Sequence, residues 1–453
     1  ADNAVPAGRA AGSAPQAPDS RRPMLIAGDT TAEMVINRNI IVIQLKPGTG
    51  EKEIEALVSK YKLKVVDVVP SLGALYVELD GNDNDQRGAR AASPRKPGDV
   101  RSLLEPPIVR LLRAEPSVNA CFVQSTVGPQ WLPRRSQARI RSGQKSVNWH
   151  WDTNKTDDGN WGLKAMRMPA AWTILARVRR ARGAAQVAPV AILDTGFGKH
   201  NQLKFVNVAS PLPATAGPIN CATSHGTHVA GIIGANAGLA QGIDGILPKA
   251  SLDLIPISKN LLLEGMVEGR QRSQLHLSYF ADVIRDLAEY FDSFPLRGGE
   301  RRVVNVSLAY NWGWVKTAGT SDPTTDQSIR NQIAQHANFV QYLVNREKEQ
   351  VLFVAAAGND SAGSEQPLSV ELATPFGYAA QHKSSYFTPS ENIIIVEAHD
   401  RWNRRASFSN VGGHVAAPGV EVMSTLASNE TPYAVCSGTS QAAPHVAGLA
   451  AMM

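Results

Sequence analysis

The sequence predicts an α/β protein: a large domain on a mostly parallel sheet with helices on both faces, preceded by a smaller α+β unit. Three observations carry this expectation. From residue 160 onward, short near-continuous apolar runs alternate with helix-period stretches, the pattern of strands buried on both faces. Between residues 39 and 123 the elements run strand, helix, strand, strand, helix, strand. Several polar residues stand where apolar runs end and small-residue helices begin, the place where open α/β sheets put their working groups.

Composition narrows the class. The 453 residues are 43% hydrophobic and 19% charged, an ordinary globular balance with room for two or three domains. The formal charge of +6 gathers in residues 87–90, 95–96, 134–145 and 177–182. Aromatics are not interleaved with these charges as a nucleic-acid face requires, so they read as linkers and surface turns, with no nucleic acid as partner. No apolar run is long enough to cross a bilayer, so no membrane is expected. Cys121, Cys221 and Cys436 are too few for a disulfide scaffold.

Each element has its local reason. Residues 1–38, rich in Ala, Pro, Gly and Ser, are expected to be mostly disordered. Residues 40–45 form a buried apolar strand. In 52–61, Ile54, Leu57, Val58 and Tyr61 fall on one helical face. Strands 65–69 and 74–79 flank the turn Pro70-Ser71-Leu72-Gly73, with Leu75, Val77 and Leu79 on one face and Tyr76 and Glu78 on the other. Pro107 opens a helix expected to turn Ile108, Leu111 and Leu112 inward, and strand 118–123 closes the unit. This βαββαβ order is that of a ferredoxin-like fold. Residues 124–159 read as a polar, basic linker carrying Trp131, Trp149 and Trp151. Beyond it come strands at 190–193, 252–256, 303–306, 351–357 and 393–396, with helices such as 279–291 and 328–344.

Three junctions carry chemistry. Ala191-Ile192-Leu193-Asp194-Thr195-Gly196 puts a carboxylate after a buried strand; alone, such an Asp is ordinarily a turn cap. Ser224-His225-Gly226-Thr227-His228 puts an imidazole at the start of a small-residue helix. The two histidines lack the i, i+4 spacing and the Glu of a zincin, so His228 is expected to be structural. Cys436-Ser437-Gly438-Thr439-Ser440 puts a hydroxyl at a glycine turn opening a second such helix. Ser437 and Thr439 would cap that helix equally well, so capping does not single out Ser440. Taken together the three make sense, because a hydroxyl nucleophile needs a base and the base needs an acid to orient it.

These segments resemble the Asp, His and Ser boxes of the subtilase family, the subtilisin-like serine proteases of peptidase family S8. The resemblance implies a three-layer subtilisin-like domain, a catalytic triad of Asp194, His225 and Ser440, and hydrolysis of protein or peptide substrates without a cofactor. From Val354-Ala355-Ala356-Ala357-Gly358-Asn359 it implies an oxyanion hole of Asn359 and the backbone N–H of Ser440. It implies substrate contacts at Ala356, Ala357 and Gly358, and at Ser307, Leu308 and Ala309, the strand an extended peptide joins. The family usually has Gly where Ala309 stands. Trp161-Gly162-Leu163, Ala170-Ala171-Trp172, Ala406-Ser407-Phe408-Ser409-Asn410 and Ala416-Ala417-Pro418-Gly419 also match, so the likeness runs from residue 160 to the end.

The 39–123 unit resembles the I9-type inhibitory propeptide of the same family. That implies a zymogen inhibited by its own prodomain, self-cleavage between residues 124 and about 159, and a secreted or periplasmic location. The family ordinarily continues past the Ser box further than Met453, which implies more chain beyond it. Calcium sites occur in parts of the family, but Gln202 stands where many members carry an acidic residue and the 236–244 loop differs in length; no metal is assigned. Cys221 and Cys436 each lie four residues before a triad member, and a bridge or two free thiols both remain open. The rival readings are an inactive homologue that binds peptides without turnover, and an esterase on an α/β-hydrolase scaffold. The latter wants Gly-x-Ser-x-Gly and the order Ser, acid, His, neither of which occurs.

Overall fold

The computed structural model describes residues 24–25, 35–78, 104–129, 149, 151, 159–182, 187–209, 221, 223–236, 242–257, 260–265, 273–310, 324–362, 365–384, 386–428 and 432–453. The N-terminal unit comprises β1 (Met24–Leu25), β2 (Val35–Leu45), α1 (Glu51–Tyr61), β3 (Lys64–Val69), β4 (Ala74–Glu78), α2 (Pro107–Arg113) and β5 (Val118–Pro129). Its antiparallel order β3-β4-β2-β5 is the ferredoxin-like one. The Glu53 carboxylate accepts the Gly50 N–H at the start of α1, and Lys62 ends that helix in the left-handed region at φ 51°. Leu57 is buried, with Ile54, Val58 and Tyr61 packed beside it, as the 3.6-residue period predicts. In α2 the phase differs from the expected one. Val109 and Leu112 point inward and Leu111 is 54% exposed, because at about 100° per residue it lies roughly 200° round from Val109.

The large domain holds α3 (Trp161–Ala165), α4 (Met168–Arg182), β6 (Val190–Asp194), β7 (Lys204–Val208), α5 (His225–Gly234), β8 (Ser251–Pro256), β9 (Asn260–Gly265), β10 (Ser273–Tyr279) and α6 (Phe280–Ser293). It continues with β11 (Arg302–Val306), β12 (Leu308–Ala309), α7 (Gln327–Arg346), β13 (Val351–Ala356), α8 (Val370–Ala373), α9 (Pro375–Gln381), β14 (Ile393–His399), β15 (Val415–Pro418), β16 (Val422–Thr425), β17 (Tyr433–Cys436) and α10 (Thr439–Met452).

Seven strands make a wholly parallel sheet in the order β15-β14-β13-β11-β6-β8-β7. Strand alternation divides the core into two. Leu193, Val304, Val306, Phe353 and Ala355 pack with α6 and α7, whereas Ile192, Leu254, Val303, Val354 and Ala356 pack with α5 and α10. Those are the three layers. After β6 the chain passes to the edge strand β7, comes back to lay β8 between β7 and β6, and then places β11 on the other side of β6. The carboxyl ends of β6 and β11 therefore flank the point where strand order reverses, the crevice in which such sheets bind ligands. The hairpins β9–β10 and β16–β17 and the edge strand β7 were not anticipated from sequence.

β5 joins the two units. It runs six residues past its expected end at Val123, so residues 124–129 of the expected linker are strand. There it pairs antiparallel with β10 (Val127 with Ser278, Thr126 with Tyr279) and then with β12 (Gly128 with Ala309, Pro129 with Leu308). The rest of that linker, apart from Trp149, Trp151 and its last residue, lies outside the described residues, as does most of 1–38.

The N-terminal sheet rests on α6 and α7. Phe122 meets the rings of His336 at 4.5 Å and Phe339 at 5.4 Å, and Val42 is its cross-strand neighbour. The amide of Gln332 donates to the Val123 carbonyl at 2.7 Å, and the Cys121 N–H donates to Gln335 Oε1 at 2.9 Å. Arg285 pairs with Asp67 at 2.9 Å and lies over the Tyr76 ring.

Candidate active site

Asp194 is the last residue of β6 and His225 the first of α5. Their side chains meet, Nδ1 to Oδ1, at 2.7 Å, and both are buried. The Thr195 N–H donates to the same carboxylate oxygen at 2.7 Å, so backbone as well as imidazole fixes it. A carboxylate facing Nδ1 makes that nitrogen the donor and leaves Nε2 as the basic one. Nε2 hydrogen-bonds to none of the described residues.

Ser440 is the second residue of α10, whose alanines pack against Val229, Ala230 and Ile233 of α5. Small side chains on both helices let the two starts approach. The Ser440 hydroxyl donates to the Ser307 carbonyl at 3.1 Å, not to the imidazole. Ser307 Oγ in turn donates to the Ser440 carbonyl at 3.1 Å and accepts from Asn305 Nδ2 at 2.9 Å. Of the three expected triad members, then, acid and base are hydrogen-bonded while the hydroxyl is held on the strand beside them.

Asn359 follows β13 through Gly358, which has φ +90°. A Cβ there would sit 2.5 Å from Asn410 Nδ2, so both conformation and space require glycine. Asn359 Oδ1 accepts from the backbone and hydroxyl of Thr439, each at 2.9 Å. Donation therefore falls to Nδ2, which lies 3.2 Å from where a Cβ on Gly438 would be, beside the turn that carries Ser440. The Ser440 N–H belongs to the first turn of α10, where amides lack intrahelical acceptors. Ala356 ends β13, with Ala357 and Gly358 following it; Ser307 follows the neighbouring β11, and Leu308 and Ala309 form β12, along which β5 pairs. Two N–H groups near a buried hydroxyl and an Asp–His pair are the parts needed for acyl transfer.

Cys221 and Cys436 are joined in a disulfide with Cα atoms 6.0 Å apart, which answers the question their sequence left open. It links the turn before α5 to the end of β17, just ahead of Ser440. His228 is fully buried against the Ala434 carbonyl at 3.1 Å, and burial pushes its pKa down to about 3, so it stands as a neutral structural residue. Ser307 as an anchor of Ser440, and Thr439 as the clamp on Asn359, were not foreseen. Thr439 lies inside the Ser box and was visible there as a possible cap.

The subtilase family model (Peptidase_S8) matches residues 187–453, more than half of the sequence. The chain belongs to the subtilase family. This subtilase is 30% identical over 307 residues to the minor extracellular protease Epr of Bacillus subtilis (strain 168), covering 67% of this chain and 36% of that protein. It is 34% identical over 232 residues to the thermophilic serine proteinase of Bacillus sp. (strain AK1), covering 51% and 42%. To subtilisin BL of Lederbergia lenta it is 30% identical over 297 residues, covering 65% and 83%. The chain thus spans less than half the length of the first two relatives. The solved epidermin leader peptide processing serine protease (EpiP) of Staphylococcus aureus has a TM-score of 0.51 at 16% identity, over 93% of this chain and 88% of that one, a likeness of fold.

Proposed function

We propose that this subtilase is a serine endopeptidase zymogen, hydrolysing peptide bonds through an acyl-enzyme. The observation that carries the reading is the buried Asp194–His225 pair at 2.7 Å, at the switch point of the sheet, with Ser440 opening the helix packed on that of His225. His225 Nε2 takes the proton of Ser440 Oγ as that oxygen attacks the substrate carbonyl carbon. Asn359 Nδ2 and the Ser440 N–H donate to the resulting oxyanion. His225 then returns the proton to the leaving amine, and water releases the acyl group by the same steps. Asp194 holds Nδ1–H throughout.

The N-terminal unit acts in this reading as an intramolecular inhibitor, its last strand lying along Leu308–Ala309 as a substrate would. The Ser440 hydroxyl, drawn to the Ser307 carbonyl, fits a resting proenzyme. Self-cleavage falls after Pro129 and before about residue 159, and the mature part is secreted. Wild type and Ser440→Ala, each incubated with a fluorophosphonate probe and a protein substrate, test the proposal. Labelling and turnover in the wild type, with neither in the variant and the variant left uncut, are expected. An unlabelled wild type would instead make this chain a peptide-binding homologue.

A further inference from the structure

The side-chain amide of Gln202 is fully buried where three segments meet, and it makes four hydrogen bonds there. Nε2 donates to the carbonyls of Asn236 at 2.7 Å and Ile243 at 2.8 Å; Oε1 accepts from the Ile243 N–H at 3.1 Å and the Tyr433 hydroxyl at 2.7 Å. The Gln202 carbonyl also accepts the Asn236 N–H at 2.9 Å. Gln202 lies on the segment leaving Asp194, Asn236 and Ile243 bracket the loop after the helix of His225, and Tyr433 begins the strand leading to Ser440. One carboxamide therefore ties together the three stretches that carry Asp194, His225 and Ser440.

Two main-chain carbonyls converging on one buried point are the start of an oxygen cage for a hard cation such as calcium, which parts of the family bind. The remaining residues do not fit one. A donor, Nε2, occupies the point itself, and an amide brings no negative charge to offset a divalent ion. Gly242 packs tightly on that nitrogen, since a Cβ there would lie 2.5 Å from it. Asp244, the carboxylate next after Ile243, has Oδ2 engaged by the indole N–H groups of Trp149 at 2.8 Å and Trp151 at 3.1 Å. His200 Nδ1 accepts the Gln202 N–H at 3.1 Å, and its ring packs edge-on against Tyr433.

We propose that the Gln202 carboxamide takes the place of a bound cation at this junction, so that Asn236 and Ile243 are held together without calcium. The inference does not rest on catalytic activity. Hydrogen exchange at the amides of Asn236, Ile243 and Gly245 tests it, in the full chain, with calcium added and with chelator. The expected wild-type rates are the same in both conditions. In Gln202→Ala those amides exchange at least about tenfold faster, with or without calcium, because the loop has lost its partner. Calcium-dependent slowing at these amides in the wild type would overturn the proposal, as would wild-type protection in the variant. The wild-type comparison remains decisive if the variant does not fold.

Discussion

Ser307 and Ser440 hold each other by two reciprocal hydrogen bonds, each hydroxyl donating to the other's backbone carbonyl at 3.1 Å. The pair fastens the first turn of α10 to the residue that follows β11, and Asn305 donates to Ser307 Oγ at 2.9 Å. Ser307→Ala removes one of the two bonds and takes the acceptor from a buried amide. Urea denaturation is expected to show a loss of about 1–3 kcal/mol. Under the proposed mechanism kcat falls by roughly tenfold or more while KM moves little, because the nucleophile's backbone is less well fixed. A variant as stable and as fast as the wild type would show that the pair has no consequence.

Asn359 has two separable duties. Its oxygen clamps Thr439, and its nitrogen is proposed to donate to the oxyanion. Asn359→Asp keeps an acceptor for Thr439 and removes the donor. The expected result is a drop in kcat of about 10²–10³-fold, the equivalent of roughly 3–4 kcal/mol, a magnitude known from subtilisin in the same family. KM and the melting temperature should change little. Asn359→Ala loses both duties and is expected to lose stability as well. A large rise in KM in the Asp variant, with kcat unchanged, would place Asn359 in substrate binding instead.

The sheet was legible because its strands are apolar on both faces, so Val190, Ile192, Val304 and Phe353 could be read without knowing their partners. The Asp194–His225 contact was legible as chemistry rather than geometry: acid, base and hydroxyl sit at strand–helix junctions, where a parallel sheet gathers distant segments. What remained hidden depended on pairing across the chain. Gln124 to Pro129 are polar or turn-like and read as linker, because their order comes from β10 and β12, more than a hundred residues away. Leu111 differs because Ile108, Leu111 and Leu112 share one i, i+3, i+4 face by period alone, while packing on the sheet selects the face of Val109 and Leu112. Gln202 was noticed for lacking a charge, but nothing local announced that Tyr433 and Ile243 would meet its amide.

The Cys221–Cys436 disulfide closes a loop with a sequence separation of 215 and anchors the turns ahead of both His225 and Ser440. Native bridges typically contribute about 2–4 kcal/mol of stabilisation. The Cys221→Ser, Cys436→Ser double variant is expected to unfold at lower urea by that amount. Adding reductant should bring the wild type to the same midpoint, while leaving the double variant unmoved. A wild type unaffected by complete reduction, with thiol labelling confirming that the bridge is open, would contradict this.

His336 stands where the N-terminal unit meets the large domain, stacked on Phe280 at 4.2 Å and edge-on to Phe122 at 4.5 Å. The Tyr310 hydroxyl faces its Nδ1, and the Gln332 amide donates toward its Nε2 at 3.1 Å, so a second ring proton would point at an N–H donor. Burial, with the charge of Arg113 acting in the same direction, holds its pKa well below the usual 6.5. Burial also lowers His228 to about 3 and His445 and His200 to about 4. These groups are neutral when folded and titrate near 6.5 when exposed. The unfolded chain therefore binds more protons between those values, and stability, full above about pH 6.5, is lost as the pH falls below it. Each such histidine contributes up to about 1.4 kcal/mol per pH unit in that window. Urea unfolding of the full chain carrying Ser440→Ala, from about pH 7.5 down to 5, should show this slope, and His336→Gln should make it shallower. Proteolytic sensitivity of β5 should rise over the same range, since opening the contact with Phe122 lets His336 take up a proton. A slope unchanged by His336→Gln would mean that this imidazole does not govern how acid loosens the contact between the two units.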